Sequence, residues 1–214
     1  MRIAVLGTGF VGATLGRRWV EKGHEVTFGS RDPSSEKAQE LAKSIAEQAQ
    51  VKDNASAAEA GDVVVASIPW TAAEETIKSL GNLDGKVIVD CINPINASFD
   101  GLDLGFATSA SEKVSEWAPG AHVVKAFNTV SVATMQDPSY DGLAATMFYC
   151  GDDAEAKSVV HQLAADLGLD PVDAGPLVNA RQLEPFAMLY IHLACKEGWG
   201  SNCAFKIMKR PAPV

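Results

Sequence analysis

The chain has 214 residues, 47% of them apolar and 21% charged, and a formal net charge of −9 at pH 7. That size and balance predict one packed globular unit with at most a small appendage. The acidic balance excludes the broadly basic surface that non-specific binding to nucleic acid or an anionic membrane needs.

The first predicted element is the strand Ile3–Leu6. It leaves no room for a secretory leader, and the longest apolar run, "FAMLYIHLAC", is about half a membrane span, so a cytoplasmic protein is expected. The strand runs into "GTGFVG" and a helix whose apolar stripe is Val11, Leu15 and Trp19. Gly7, Gly9 and Gly12 have the G-x-G-x-x-G spacing. Gly7 suits the tight turn, Gly9 lets the backbone approach a pyrophosphate, and Gly12 lets helix and strand pack closely. Thr8 adds a hydroxyl, and the helix N-terminus offers N–H groups and the positive end of its dipole. On the first strand of an alternating chain, this predicts dinucleotide binding.

The strand Val26–Phe28 follows, and then "GSRDPS". An acid about 20 residues past the glycine motif would hold the ribose hydroxyls. Ser30 and Arg31 stand there instead, a hydroxyl and a planar cation suited to a 2′-phosphate, so NADP(H) is expected over NAD(H). Asp32 before Pro33 reads as a helix N-cap with proline at the first helical position. Lys37 is either a further phosphate partner or a solvated helix lysine. The stripe Ala38, Leu41, Ala42, Ile45 and Ala49 predicts the next helix.

Val63–Ala66 is the next strand and opens onto "SIPW". Ile68 and Trp70 are candidates for a flat apolar wall beside the nicotinamide; the plainer alternative is a helix opening at Pro69. After the strand Val87–Asp90 comes Asn93–Thr108, the longest irregular piece, either a pocket loop or a surface excursion. The strand Val123–Phe127 contains Lys125, whose direction is open, and leads to Asn128. This asparagine either hydrogen-bonds a carboxamide or acceptor ring or is a turn residue. Thr146–Cys150, a helix striped by Ala156, Val159, Val160, Leu163 and Leu167, and the strand Pro171–Asp173 complete the alternation.

The last helix, about Val178–Lys196, is apolar nearly all round and must be buried on several sides. It either crosses the end of the sheet over the site or is covered by a second subunit, and a homodimer is expected. Cys91, Cys150, Cys195 and Cys203 form no C-x-x-C motif and are expected to be reduced and mostly buried. The predicted fold is α/β, a doubly wound and mainly parallel sheet over residues 1–175, with a C-terminal helical extension over 176–214 covering the cleft or a dimer interface.

"GTGFVG", "GSR", "SIPW", "CGDD" and "VDAGPLVNAR" occur in that order, and together they resemble the coenzyme F420-dependent NADP oxidoreductases. "VVKAFNTVS" is more similar to the reductase domain of the related STEAP metalloreductases. The resemblance implies a Rossmann-type fold that binds NADP(H). It puts Thr8, Gly9, Phe10 and Val11 at the phosphates, Ser30 and Arg31 at the 2′-phosphate, and Ser67, Ile68, Pro69 and Trp70 beside the ribose and nicotinamide. Lys37 is offset from the basic residue that follows the S-R pair in that family. Phe127, Asn128 and Thr129 stand where the F420 enzymes carry a histidine-containing segment.

A general acid is hard to find. No Y-x-x-x-K motif is present, and His24, His122, His161 and His192 each read as structural. Carbonyl reduction needs a proton as well as a hydride, whereas transfer between nicotinamide and a deazaflavin or flavin runs largely on alignment of two rings. The expected function is therefore hydride transfer between NADP(H) and a flavin-like small molecule, coenzyme F420 or a flavin. Trp70 and Asn128 would position the rings, with no metal, nucleic acid or membrane involved. The alternatives are an NADPH-dependent reductase of a small imine or carbonyl compound and a non-catalytic NADP(H)-sensing module. Lys206, Lys209 and Arg210 either hold an anionic acceptor tail or form a solvated terminus.

Overall fold

β1 (Arg2–Leu6) and β4 (Val63–Ala66) lie side by side at the centre of the sheet, paired in parallel from Ile3 with Val63 to Leu6 with Ala66. All four residues of β4 and the last four of β1 are buried, as a strand covered on both faces requires. The structure is a computed structural model that describes residues 1–45 and 49–210.

From β1 the chain passes through α1 (Phe10–Glu21) to β2 (Glu25–Ser30), then α2 (Glu36–Ser44), β3 (Ala49–Asp53) and α3 (Asn54–Ala60). Past β4 come α4 (Trp70–Lys78), β5 (Val87–Asp90), α5 (Ala110–Trp117), β6 (His122–Lys125) and α6 (Val132–Gln136). The short hairpin β7 (Ser139–Tyr140) and β8 (Leu143–Ala144) precedes β9 (Thr146–Gly151), α7 (Ala154–Asp166), β10 (Asp170–Asp173) and α8 (Ala180–Cys195). The main sheet runs β10-β9-β6-β5-β4-β1-β2-β3. Its six parallel strands have the doubly wound order of a Rossmann fold, which reverses direction between β1 and β4. β9 joins β6 antiparallel, and β10 lies parallel to β9.

Helices cover both faces. On one side Leu15 and Trp19 of α1 pack with Met135 of α6 and Leu163 of α7, and the Trp19 indole donates to Leu163 O at 3.1 Å. On the other, Ala57 of α3, Ile77 of α4 and Val114 of α5 cover Leu6, Val64 and Ile88.

Four sequence-based expectations need correction. Ala49 opens β3 instead of extending the α2 stripe, and α2 ends at Ser44. β3 ("AQVKD") is a half-exposed edge strand with one β-branched residue, so its signal was weak. Asp32 does not cap α2, which starts at Glu36 after Ser35. Its carboxylate accepts from Ser34 N at 3.0 Å and Ser34 Oγ at 2.6 Å, so Asp32 and Pro33 build the turn before the helix. The β7–β8 hairpin was overlooked although Asp141-Gly142, with φ of 50° and 80°, is a strong hairpin turn signal. Finally, only Cys150 is fully buried, and Cys195 is exposed.

α8 is buried along Ala180, Leu183, Glu184 and Ala187, while Leu189 and His192 face outward. Its apolar circumference is therefore only half covered within one chain. Among the described residues no helix is long and apolar enough to cross a membrane.

Candidate functional site

A cavity of about 840 Å³ lies where β1 and β4 diverge, at the carboxyl edge of the sheet. Gly7, Thr8, Gly9, Phe10 and Val11 line one side, Ser30, Arg31 and Lys37 one end, and Ser67, Ile68 and Pro69 the opposite wall. Sequence reasoning singled out all of these. It missed Asn54, Ala72, Thr76 and Phe99, which also line the cavity; Asn54 follows the overlooked β3.

The glycines divide the labour as their spacing implies. Gly7 adopts φ +103°, and a side chain there would sit 2.5 Å from Ser67 O. Gly12 lies beneath the turn, where a Cβ would collide with Gly7 O and Ser67 Oγ. Gly9 differs: no heavy atom lies within 4 Å of its Cβ position, so the backbone there borders open space. The first α-helical bond of α1 is Ala13 N to Gly9 O at 2.9 Å, which leaves the preceding N–H groups without helical acceptors. No acid sits in the first turn of α1, and Gly9 supplies no side-chain cap. A glycine-walled opening onto such a helix end fits a pyrophosphate. The cavity's dimensions and donor set thus fit a dinucleotide.

Ser30 at the end of β2 donates to Asp32 O at 3.0 Å and accepts from Asp32 N at 3.2 Å, which orders the turn that carries Arg31. Hydrogen bonds from Ser34 hold the Asp32 carboxyl below its ordinary range, and Asp32 lines the same end of the cavity. Ser67 Oγ donates to Leu6 O at 2.7 Å, tying β4 to β1 across the point where the strand order reverses.

Two predicted residues sit elsewhere. Trp70 is the first residue of α4; its ring stacks on Trp117 of α5 at 5.6 Å and 26° and does not line the cavity. Asn128 is buried behind the wall. Its Nδ2 donates to Asn93 Oδ1 at 3.0 Å and to Leu183 O at 3.1 Å, joining the ends of β5 and β6 to α8. Phe127 before it is buried at φ +60°, a conformation held by the packing around it.

Deeper still is a charged cluster. Lys125 Nζ lies 2.8 Å from Asp90 Oδ2 and 2.9 Å from Glu184 Oε1, and all three side chains are fully buried. Lys125 also donates to Ile92 O, and Ser111 Oγ donates to Asp90 Oδ2 at 2.6 Å. Glu184 accepts from Ala110 N at 3.0 Å and Ser111 N at 3.3 Å at the start of α5. Burial alone would lower the Lys125 pKa, but the two carboxylates outweigh it and raise it; desolvation raises Glu184. These groups line no described cavity. Each of the four histidines has a polar neighbour: His24 pairs with Asp166 at 2.9 Å, His161 with Tyr149 at 3.2 Å and His192 with Glu197 at 3.1 Å, and His122 lies 3.7 Å from Asp153.

A second hollow of about 580 Å³ lies between the 100–106 loop and the outer face of α8. Adjacent residues of one loop serve the two spaces, Phe99 the first and Asp100 the second.

Residues 2–94 match the family described as NADP oxidoreductase, coenzyme F420-dependent. The chain is 32% identical over 212 residues to the F420-dependent NADP reductase of Methanothermobacter marburgensis, covering 92% of this chain and 93% of that protein. It is 30% identical over 183 residues to the metalloreductase STEAP3 of Rattus norvegicus, covering 86% of this chain but only 36% of that longer protein. The crystal structure of a candidate F420-dependent NADP reductase from Arthrobacter sp. FB24 superposes with a TM-score of 0.89 at 32% identity, covering 98% of this chain and 100% of that one.

Proposed function

Because the chain belongs to the coenzyme F420-dependent NADP oxidoreductase family, and so is an NADP(H)-binding oxidoreductase, we propose that it passes hydride between NADP(H) and a flavin-like ring, coenzyme F420 or a flavin, held beside α8. The observation that carries this reading is the composition of the site. Among the described residues lining the cavity there is no histidine or tyrosine, its lysine, Lys37, lies with Ser30 and Arg31 and not with Ile68 and Pro69, and the buried Lys125 is saturated by two carboxylates and a carbonyl. A site without a placed proton donor suits transfer between two rings better than carbonyl or imine reduction.

When bound, the dinucleotide supplies or accepts the hydride at its nicotinamide. The chain's own residues bind and orient it. Backbone N–H groups of Gly9, Phe10 and Val11 take the pyrophosphate, with the Thr8 hydroxyl beside them. Ser30 and Arg31 take the 2′-phosphate, with Lys37 as a further cation at that end of the cavity. Ser67, Ile68 and Pro69 form the wall on the nicotinamide side. Trp70 supports that wall from behind through Trp117, and Asn128 holds α8 against the strand ends.

The test is NADPH oxidation by the purified protein against coenzyme F420, FMN, FAD, riboflavin and ferric chelates. Turnover with a flavin-like ring is expected. Turnover only with an imine or carbonyl compound overturns the acceptor assignment. Tight NADPH binding without oxidation by any of them supports a sensing module instead.

A further inference from the structure

Four residues that line the dinucleotide cavity take no part in holding the phosphates or the nicotinamide: Asn54, Ala72, Thr76 and Phe99. Asn54 marks where this part of the space lies. Ser30 pairs with Asp53 in the register of β2 with β3, so Asn54 stands one residue beyond that pair, level with Arg31. A Cβ on Gly29 would lie 2.7 Å from Asn54 Oδ1, so the Asn54 side chain lies over the end of β2. Asn54 also opens α3, which packs on β1 and β2. Ala72 and Thr76 lie one turn apart on α4. Asn93 and Asn128, at the ends of β5 and β6, do not line the cavity. Beyond the phosphate loop and its wall, the space therefore runs between α3 and α4, at the end that carries Ser30 and Arg31.

Phe99 reaches this space from a third element. The segment that carries it is a braced hairpin. Ile95 bridges Leu102, and Asn96 N donates to Gly101 O at 3.0 Å. Asn96 Nδ2 donates to Asp100 Oδ1 at 2.8 Å, and Asp100 N donates to Asn96 Oδ1 at 3.2 Å. Phe99 sits at the tip, 65% exposed and at φ +56°. A phenylalanine in the left-handed region is strained, and burial of its own ring does not offset that strain here. Glycine or asparagine would make the same turn with less strain. What phenylalanine adds is an aromatic face held rigidly at the cavity, so little order is lost when a flat ligand meets it.

We propose that Phe99 is a nucleotide-binding residue that stacks on the adenine of NADP(H), with Ala72 bordering the base. A 2′-phosphate belongs to the adenosine half of the dinucleotide, and the adenine is the flat aromatic group of that half. Stacking would cover the exposed phenyl ring. The proposal rests on the reading of Ser30 and Arg31 as the 2′-phosphate end and adds the contact that holds the base. The base is common to NADPH and NADH, so this contact adds affinity for both and selects neither.

The probes are NADPH, NADH and 2′,5′-ADP, titrated by calorimetry onto the full chain. Phe99→Ala should weaken all three roughly tenfold, the size of one base–aromatic stack. Phe99→Tyr should keep wild-type affinity. Phe99→Gly should bind as weakly as Phe99→Ala and melt no lower than the wild type, because glycine takes a positive φ without strain. Unchanged affinity for 2′,5′-ADP in Phe99→Ala overturns the proposal, and a loss confined to NADPH and NADH moves the ring to the nicotinamide half. Equal losses in Phe99→Tyr and Phe99→Ala also overturn it. So does a Phe99→Gly variant that melts well below the wild type, which assigns the ring to packing. Arg31→Ala tests the other reading separately. If it weakens NADPH and NADH alike while Phe99→Ala still weakens all three ligands, the 2′-phosphate assignment fails and the base contact stands.

Discussion

Lys125 Nζ lies 2.9 Å from Glu184 Oε1, and neither side chain has exposed surface. The pair joins β6 to α8 in the interior, with Asp90 of β5 as the second carboxylate. Removing one member of such a cluster leaves an uncompensated buried charge. Lys125→Ala should cost about 3–5 kcal/mol in urea unfolding. The triple change Lys125→Met, Asp90→Asn, Glu184→Gln should recover much of that loss. An unstable triple variant beside a stable single variant contradicts this.

Arg181 and Glu112 form a second tie between α8 and α5, at 2.9 and 2.6 Å. The Arg181 guanidinium holds the Glu112 carboxyl below its ordinary value of 4.5. A depressed carboxylate contributes stability that is complete above the unfolded value and is lost as pH falls through the folded one. Arg181→Ala should therefore lower the urea midpoint at pH 7 by the small amount a solvent-screened pair contributes. The cost should shrink towards zero in the acid range below 4.5, read as paired urea midpoints.

Gly9→Ala and Gly12→Ala should separate binding from folding. A methyl at Gly9 meets open space, so thermal stability should hold while NADPH affinity falls. A methyl at Gly12 meets Gly7 O and Ser67 Oγ, so that variant should lose stability by about 1–3 kcal/mol, as overpacking does. Equal melting temperatures in the two variants contradict the division.

Arg31→Ala should weaken NADPH binding by about 1.5–3 kcal/mol, roughly 10- to 100-fold, and leave NADH nearly unaffected. Calorimetry with both nucleotides reads the difference. Equal losses remove the 2′-phosphate from Arg31.

Trp70→Ala and Trp117→Ala should behave alike, because the two rings stack on each other. Each should lose about 0.5–1.5 kcal/mol from the aromatic pair in addition to its buried area. NADPH affinity should change little in either, since neither ring lines the cavity. A loss of affinity in Trp70→Ala alone places that ring against the nicotinamide.

Most of the sheet was legible from residues 3–6, 63–66 and 87–89, where unbroken apolar runs mark strands covered on both faces. The glycine turn and the Ser30–Arg31 end were equally legible, because each is a local motif whose geometry the chain carries within a few residues. Local pattern also fixed the alternation that produces the doubly wound order and, with it, a dinucleotide cavity where that order reverses. It did not locate the partners of Lys125, Trp70 or Asn128. On a strand with both faces covered, alternation says nothing about which way Lys125 points. Its destination depends on Asp90 and Glu184 arriving from two other elements. Trp70 meets Trp117 only because α5 brings that ring against it. The hollow against α8 exists only because the 100–106 loop folds onto that helix, a meeting of distant segments that no local period encodes.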